Sequence, residues 1–387
     1  MGYAEAMRQV TVGVLFDADF EYGVGVLEGV RDEARGRPEW RVLPVPYAQE
    51  GFLTRLARTG ALQAVIGAFI SDRWLRDRLP PSLAAVNVAN LSHIGSVSSV
   101  VPDDRAAGRL VARHFCDLGY RNVGVVSERA TYAAELRREG FLGFMAGQEG
   151  VRVTEPAGEA GYRHESAWQG WLEGLPRDTA VFCTGDHLAC RLWQTAKALA
   201  AGGPPPFAAL AGVGDSLTDR VASGLDLTSV ALPARRVGQR AAARVAALLA
   251  GEGTEAAREE VAPAELTVRG STARFASGDE TVARALGVAL RTLAQNPGVE
   301  AVARQTGVSR RTLEMRFRAA FGQGPAEVFR ARRIEEARRL LAETDLTTAE
   351  VAARVGCASV QAFTTLFREA CGMPPAGYRR SLSRSRK

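Results

Sequence analysis

The 387-residue chain lacks several patterns that would assign it at once to a large class of proteins. It has no run of about 18 uncharged apolar residues, so we expect no transmembrane helix. Its five cysteines are scattered, odd in number and without a CxxC pair, which favours free thiols over a disulfide framework or a zinc site. The N-terminal segment has neither the basic nor the long apolar region of a secretory signal. These absences predict a cytoplasmic protein.

Motifs for enzymes and cofactors are also scarce. Residues 23–29 contain G-x-G without the rest of a dinucleotide fingerprint, and neither a Walker A nor an H-E-x-x-H pattern occurs. The letters GDSL at 214–217 match an esterase signature with Ser216 as nucleophile. All four histidines precede that serine, whereas such esterases place the base after it. The sequence therefore predicts no enzyme, no cofactor and no metal site.

Positive charge is concentrated in the C-terminal part of the chain. From Asp279 onward there are 19 arginines and lysines against 11 acidic residues, while the preceding part holds 30 against 32. A basic segment attached to a nearly neutral body is typical of a nucleic-acid-binding module. The charge alone is explained equally well by a solvated basic surface.

Hydrophobic runs alternate with amphipathic segments over residues 11–272. We interpret eight of these runs as strands: 11–16, 40–47, 64–69, 84–89, 122–127, 179–185, 207–214 and 227–233. Helices are predicted at 104–118, 133–148, 187–201 and 235–250. This alternation predicts an α/β fold with parallel sheets, in which ligands bind at the carboxyl ends of strands.

The pattern changes near residue 273. The polar segment 273–280 predicts a linker, and only helical periodicity follows it. The sequence therefore predicts a ligand-binding domain over residues 1–272 and an all-helical domain over 281–387.

One unit occurs twice in the helical domain, fifty residues apart. Leu313, Phe317, Gly322 and Pro325 recur as Phe363, Phe367, Gly372 and Pro375. In each copy a short helix ends at a glycine, Gly307 or Gly356, and a serine follows in position to cap the next helix. Thr347 and Glu350 form a capping-box pattern in the second copy. This spacing predicts two helix-turn-helix motifs.

The second helix of such a motif enters the DNA major groove, so its outward side chains are candidates for base and phosphate contacts. Arginine pairs with guanine, glutamate accepts from cytosine, glutamine pairs with adenine, and valine contacts a thymine methyl group. Arg316, Arg318 and Arg368 are expected at phosphates. The candidate DNA-binding residues are Arg310, Arg311, Glu314, Met315, Arg318, Val360, Gln361, Thr364, Thr365 and Arg368.

An ordinary helical bundle with solvated polar residues is the alternative interpretation of one such motif, and the second copy in the same register argues against it. The segment 326–345 between the copies predicts a stiff amphipathic helix with Ile334, Ala337, Leu340 and Leu341 on its apolar side. Such a helix would hold the two groove-entering helices about 34 Å apart, one turn of DNA.

Residues 281–380 resemble the AraC/XylS type of DNA-binding domain. The resemblance rests on RRIEEARRLL at 332–341, on TTAEVAARVGCASVQAFTTLFREACGMPPAGYRR at 347–380 and on the G-x-x-P turns. One departure is Cys357, where this family usually has phenylalanine.

The first 272 residues resemble the two-lobed, periplasmic-binding-protein-like effector domain of LacI/GalR regulators. The stretches that carry the resemblance are 12–35, 101–126, 182–192 and 263–272. It implies a small carbohydrate ligand, with a pentose such as xylose favoured. Gly214 departs from the aspartate common in related sensors, and Asp215 is the neighbouring substitute. The ligand-binding residues implied are Asp17, Glu21, Asp103, Arg137, Asp186 and Asp215, of which Asp103 and Asp186 are equally well explained as helix caps.

Together these features predict a sugar-responsive transcriptional regulator, an activator by resemblance, that binds promoter DNA. The resemblance further implies a homodimer and RNA polymerase as a partner. Two alternatives remain from the sequence. The first is a regulator whose sensor responds to a protein partner and binds no sugar, and the second is a solute-binding protein of a transport system.

Overall fold

The computed structural model describes residues 9–17, 20–128, 131–156, 166–201, 204–253, 255–263, 265–272, 280–343 and 346–384. Two six-stranded sheets lie within residues 10–267, and the described residues from 280 to 384 contain helices and turns without a strand. The predicted class, parallel α/β sheets followed by an all-helical part, is confirmed. Among the described residues, no helix is both long and apolar enough to cross a membrane.

The first sheet is entirely parallel. Its strands are β1 (Val10–Phe16), β2 (Trp40–Pro46), β3 (Ala64–Gly67), β4 (Ala84–Asn87), β5 (Ser98–Pro102) and β11 (Arg258–Val261). The helices packed around it are α1 (Glu21–Ala34), α2 (Glu50–Arg58), α3 (Asp72–Arg78) and α9 (Ala234–Leu249). The strand order is β11-β5-β4-β3-β1-β2. We call this sheet with its helices the first lobe.

The second sheet forms the second lobe. Its strands are β6 (Asn122–Val126), β7 (Arg152–Thr154), β8 (Ala180–Cys183), β9 (Ala209–Val213), β10 (Thr228–Ala231) and β12 (Glu265–Thr267). Its helices are α4 (Asp104–Asp117), α5 (Tyr132–Met145), α6 (Ser166–Glu173), α7 (Asp186–Leu199) and α8 (Leu217–Ser223). The order is β12-β10-β9-β8-β6-β7, and only the β10–β12 pair is antiparallel.

The chain passes between the lobes three times, after β5, after β10 and after β11. Both sheets bury apolar side chains on two faces because successive side chains of a strand point in opposite directions. In β1, Val12 and Val14 pack against α1 and α9, whereas Leu15 packs against α2 and α3. Each lobe therefore has a hydrophobic core on both sides of its sheet. Packing on both faces holds the sheet in place, and with it the strand ends that face the other lobe.

All eight predicted strands are present, and β5, β7, β11 and β12 were not predicted. All four carry polar residues that hide the hydrophobic signal. In β5, Ser98 and Ser99 are buried, and the Ser98 hydroxyl accepts hydrogen bonds from Arg244 and from the backbone of Ala257. The β11 strand contains Arg258 and two glutamates because it lies at a sheet edge, where charged side chains remain in water.

The helical part contains seven α-helices among the described residues. They are α10 (Glu280–Arg291), α11 (Val299–Gln305), α12 (Arg310–Phe321), α13 (Pro325–Glu343), α14 (Thr348–Arg354), α15 (Val360–Cys371) and α16 (Pro375–Arg384). The predicted linker falls on residues 273–279, which lie outside the described residues, and on Glu280, which is the first residue of α10.

The repeat forms two helix-turn-helix units, α11–α12 and α14–α15, with the predicted caps. Gly307 and Gly356 adopt φ values of 74° and 70°, which only glycine takes without strain. The Ser309 and Ser359 hydroxyls accept hydrogen bonds at 3.1 Å from backbone N–H groups in the first turns of α12 and α15. The capping box between Thr347 and Glu350 is also present.

Helix α13 joins two separate hydrophobic clusters. Its first half contributes Val328 and Phe329 to a cluster that also contains α10, α12 and the core of the second lobe. Its second half buries the four residues predicted on its apolar side, Ile334, Ala337, Leu340 and Leu341, against α14 and α15. The two helix-turn-helix units are therefore connected by one continuous helix but have different cores.

Candidate functional site

The six polar side chains predicted at a ligand site are distributed over both lobes. Asp17 follows β1, Asp103 follows β5, Asp186 follows β8, and Asp215 lies two residues after β9. Parallel strands bring their carboxyl ends to one edge of a sheet, so these residues face the opposite lobe. Glu21 begins α1, and Arg137 lies in α5.

The cleft is closed by direct contacts between the lobes. The Glu21 carboxylate accepts hydrogen bonds from the backbone N–H groups of Leu217 at 2.9 Å and Thr218 at 3.3 Å, at the start of α8. On the other side of the cleft, two N–H groups at the start of α5 donate to the carbonyl oxygens of Asn90 and Leu91 at 2.7 and 3.1 Å. The N–H groups in the first turn of a helix have no acceptor within that helix. In this closed arrangement, oxygen atoms of the first lobe accept the hydrogen bonds of these N–H groups at the starts of α5 and α8.

A buried ion pair lies where the chain enters the second lobe. Asp104, 1% exposed, accepts a hydrogen bond from Arg137 Nε at 2.7 Å and another from the Asn90 side chain at 2.7 Å. Arg137 Nη1 donates to the carbonyl oxygen of Thr184 at 2.8 Å. A buried carboxylate is tolerated when it is paired and hydrogen-bonded in this way. The Nη2 group of Arg137 makes no hydrogen bond with the described residues, so two N–H donors are left for a ligand.

Tyr22 lies close to this ion pair and was not singled out from the sequence. Its hydroxyl donates to the carbonyl oxygen of Val88 at 2.6 Å. Burial and the charge of Asp104 raise the pKa of Tyr22, so the phenol stays neutral and remains a donor. An aromatic ring beside an ion pair gives the cleft both an apolar surface and polar groups, the usual composition of a small-molecule site.

Asp186 makes its hydrogen bonds inside the second lobe. Its two oxygens accept from the Ser229 hydroxyl at 2.6 Å and from the backbone N–H of Ser216 at 2.8 Å. The cap of α7 is Gly185, so Asp186 does not cap its own helix. Burial raises the pKa of Asp186 to about 6, although both hydrogen bonds oppose this shift. A side chain at Gly212 would overlap the carboxylate, which explains the glycine there.

Gly214 and Asp215 form a strained turn after β9. Gly214 has φ 139° and Asp215 has φ 54°, so an aspartate in place of Gly214 would be strained. The Asp215 carboxylate pairs with Arg220 at 2.7 Å and with Arg269 at 2.6 Å. Its charge is therefore balanced by two guanidinium groups within the second lobe.

The two remaining candidates lie at strand ends of the first lobe. Asp103 caps α4 by accepting a hydrogen bond from the Ala106 N–H at 2.7 Å, and it also pairs with Arg109 at 3.4 Å. Asp17 lies near the Tyr47 hydroxyl, and its charge contributes to the raised pKa of Tyr47. The capping interpretation of Asp103 thus describes its present contacts.

A further pair at the cleft was missed from the sequence. Glu128, just after β6, pairs with His187 at 2.7 Å. This hydrogen bond is the main cause of the raised pKa of His187. The position of Glu128 past a predicted strand was the signal available, but the segment that follows contains no motif to draw attention to it.

The candidate DNA-binding residues lie on two exposed helix faces. In α12, Arg310 and Glu314 form an ion pair at 2.9 Å, Arg311 is exposed, and Met315 is 64% exposed. Arg316, expected at a phosphate, is half-buried and donates to the Thr281 hydroxyl of α10 at 3.1 Å.

The corresponding face of α15 is uncharged over its first two turns. Val360 is 43% exposed, and Gln361 and Thr365 are exposed. The Thr364 hydroxyl donates to the carbonyl oxygen of Val360 at 2.8 Å. Arg368 is exposed further along the helix, as Arg318 is in α12.

The first helix-turn-helix unit shares a hydrophobic core with the second lobe. One hydrophobic cluster contains Phe115 and Phe141 of that lobe together with Leu286 and Phe317 of the helical part. Arg332 of α13 donates a hydrogen bond to the carbonyl oxygen of Asp117, at the end of α4.

A buried histidine lies at the same contact. His114 Nε2 is 3.0 Å from the Thr272 hydroxyl, which in turn bonds the Thr228 hydroxyl of β10 at 2.8 Å. Burial, with a smaller effect of the Arg332 charge, lowers the pKa of His114 to about 3. The imidazole ring of His114 is therefore neutral while this interface is packed.

Comparison with known proteins agrees with this architecture. A helix-turn-helix domain model matches residues 302–381, and a periplasmic-binding-protein-like domain model matches residues 112–272. The chain therefore combines a periplasmic-binding-protein-like domain with an AraC-type helix-turn-helix domain, the domain arrangement of a transcriptional regulator.

Two of the similar proteins match nearly the whole chain, and a third matches about two thirds of it. The xylose operon regulatory protein of Escherichia coli K12 is 26% identical over 383 residues, covering 95% of this chain and 96% of that protein. The structure of the xylose-binding transcription activator xylR covers 96% of this chain and 98% of its own, with TM-score 0.60 and 24% identity. The transcriptional regulator CelR in complex with cellobiose covers 68% of this chain and 85% of its own, with TM-score 0.55 and 20% identity. These relatives are named as regulators, which agrees with the prediction that the chain is not an enzyme.

Proposed function

We propose that this chain is a cytoplasmic transcriptional activator that binds a small carbohydrate, a pentose such as xylose, in the cleft and promoter DNA through α12 and α15. Residues 1–272 form the sensor in this proposal, 273–280 the linker and 281–387 the DNA-binding domain. The names of the similar proteins favour xylose and activation. The protein acts as a homodimer and contacts RNA polymerase from its promoter site.

The observation that carries the proposal is the shared core between the second lobe and the first helix-turn-helix unit. A ligand that closes the cleft fixes the second lobe relative to the first, and the DNA-binding helices move with the second lobe. Ligand binding shifts this equilibrium only by its differential affinity for the two arrangements. The contacts of Glu21 with the start of α8 contribute to the closed arrangement that the sugar stabilises.

Arg137 is the first candidate for direct sugar contact, because its Nη2 group has no hydrogen-bond partner among the described residues. Asp17, Glu21, Asp103, Asp186 and Asp215 are proposed as the remaining contacts. In the present arrangement Asp186 and Asp215 are held by serines and arginines, so we expect them to accept a sugar hydroxyl in addition to these partners or in exchange for them.

The first test is thermal denaturation of the full-length chain with D-xylose, L-arabinose, D-ribose, D-glucose, D-galacturonate and cellobiose. A ligand that binds only the folded state raises the midpoint temperature of unfolding. At a concentration of one hundred times its Kd, it adds about 2.7 kcal/mol to the free energy of unfolding. We expect stabilisation by a pentose. No stabilisation by any sugar would favour a sensor that responds to a protein partner.

The second test compares two neighbouring arginines of α5. Arg137→Lys keeps the charge beside Asp104 but removes the Nη2 donors, so we expect weaker sugar binding with the fold retained. Arg138→Lys is the matched control, because Arg138 pairs with Glu155 at 2.5 Å and has no contact with the Asp104 site. Equal loss of affinity in both variants would contradict a ligand role for Arg137.

A further inference from the structure

We propose that α12 and α15 select unlike halves of one binding site, a G·C-containing half under α12 and an A·T-rich half under α15. This inference rests on the proposed function, because it assumes that both helices enter the major groove of one duplex. It goes further in stating the base composition of each half.

The two helices are aligned residue by residue. Each begins directly after a capping serine, and each buries the residues at its fourth and eighth positions, Leu313 and Phe317 or Phe363 and Phe367. Equal caps and equal buried positions place equal outward positions in the groove. The outward pairs are Arg310 with Val360, Arg311 with Gln361, Glu314 with Thr364, and Met315 with Thr365.

The outward face of α12 is charged. Arg311 is exposed and makes no hydrogen bond or ion pair with the described residues, so its guanidinium is available for two parallel bonds to guanine O6 and N7. Arg310 is 61% exposed and its ion pair with Glu314 holds that carboxylate in place on the same face. A carboxylate accepts but never donates, so it fits the amino group of cytosine and is repelled by thymine O4.

The outward face of α15 carries no charge before Arg368. Val360 and Thr365 present methyl groups, which pack against the thymine methyl group. The Thr364 hydroxyl hydrogen is already donated to the Val360 carbonyl oxygen, so it is not available to a guanine acceptor. Gln361 is exposed and makes no hydrogen bond with the described residues, and its amide matches adenine N6 and N7. Every group on this face thus fits an A·T pair.

The phosphate-facing end of the two helices is alike. Arg318 and Arg368 occupy the same position and both are exposed. Phosphate contacts position a protein without specifying sequence, so the two helices are anchored in the same way. The difference between them is therefore confined to base recognition, and it gives the site a direction.

The test is selection of a randomised duplex library by the full-length chain, with and without D-xylose. We expect two enriched half-sites about one helical turn apart, one with a G·C pair and one rich in A·T. Two reciprocal variants then assign the halves. Arg311→Gln should replace guanine by adenine at one position of the G·C half, and Gln361→Arg should replace adenine by guanine in the A·T half, each changing preference roughly tenfold or more.

Both substitutions lie on exposed positions, and an unchanged thermal midpoint verifies that each variant is folded. A selected site with two G·C-rich halves, or variants that leave both halves unchanged, would overturn this inference while leaving DNA binding by the chain intact. Failure to enrich any sequence under either condition, together with binding that does not weaken with salt, would instead overturn the proposed function.

Discussion

The two helix-turn-helix units have the same backbone design, but they differ in what lies behind them. The buried Phe317 of the first unit belongs to the cluster that contains Phe115 and Phe141 of the second lobe. The buried Phe363 and Phe367 of the second unit belong to a separate cluster with the second half of α13. Among the described residues, the first unit shares a core with the second lobe and the second unit does not, so a sequence repeat does not imply equal packing.

Under the proposed function, this difference indicates how ligand binding in the cleft would affect the two helix-turn-helix units. A movement of the second lobe would act on the first unit through their shared core. It would reach the second unit through α13 and through Leu293, which packs against the core of the second unit. The continuous 19-residue helix α13 connects the two units, so a movement of the first unit would be transmitted to the second. Substitutions in the two units and at their contact with the lobe should separate these effects.

The largest effect is expected from truncating one buried phenylalanine in each unit. Phe317→Ala and Phe367→Ala should each cost about 3–5 kcal/mol, because each leaves a cavity in a packed core. Hydrogen exchange should then increase in α12 and also in α4 for Phe317→Ala, but only in α14–α16 and the end of α13 for Phe367→Ala. Equal exchange of α4 in both variants would show that the clusters are not independent.

A smaller effect is expected at the contact between α13 and α4. Arg332→Leu removes a charge-assisted hydrogen bond to the Asp117 carbonyl, which contributes about 1.5–3 kcal/mol. Faster amide exchange at the end of α4 is the expected result. Arg330→Leu is the control, because Arg330 is exposed on the same helix and makes no hydrogen bond with the described residues. The same increase in both variants would contradict the specific role of Arg332.

The histidine at this contact should make stability depend on pH. The pKa of His114 is about 3 in the folded chain and about 6.5 when unfolded, so the unfolded chain binds a proton that the folded chain excludes. The contribution of neutral His114 to the free energy of unfolding is fully present above pH 6.5. Below pH 6.5 it falls by about 1.4 kcal/mol per pH unit. His114→Gln should remove this dependence, as measured by denaturant unfolding at pH 7.5 and 5.5. An unchanged difference between these two pH values would contradict the burial of His114.

The smallest effects are expected at the helix caps. Ser309→Ala and Ser359→Ala should each cost about 1 kcal/mol, because each leaves a first-turn N–H group without its acceptor. Unfolding by denaturant measures both. Each serine accepts from the equivalent first-turn N–H group, so their costs should be similar, although Ser309 also bonds the Thr312 hydroxyl. The two phenylalanine variants, by contrast, should differ in which helices exchange faster. A large difference between the two serines would show that the units are not locally equivalent.

The fold was predictable wherever local rules determine it. Hydrophobic runs located eight strands, and the glycines and serines of the repeat located both turns, because helix caps depend on neighbouring residues only. The edge strand β11 was missed since its stability comes from pairing with β5, which no local pattern reveals. The six candidate cleft residues were implied by the resemblance to a known effector domain; four of them lie just after strands, whereas Glu21 and Arg137 lie in helices. Their partners, such as Ser229 for Asp186 and Arg269 for Asp215, are distant in sequence and required the three-dimensional structure.

The most direct test of the central claim is a hydroxyl-radical footprint of the full-length chain on its selected duplex. The helices α12 and α15, held by α13, should protect two stretches about one helical turn apart on one face of the DNA. Arg311→Ala should weaken the protection of one stretch more than that of the other. Protection of a single stretch, unchanged by substitutions in either α12 or α15, would contradict the account.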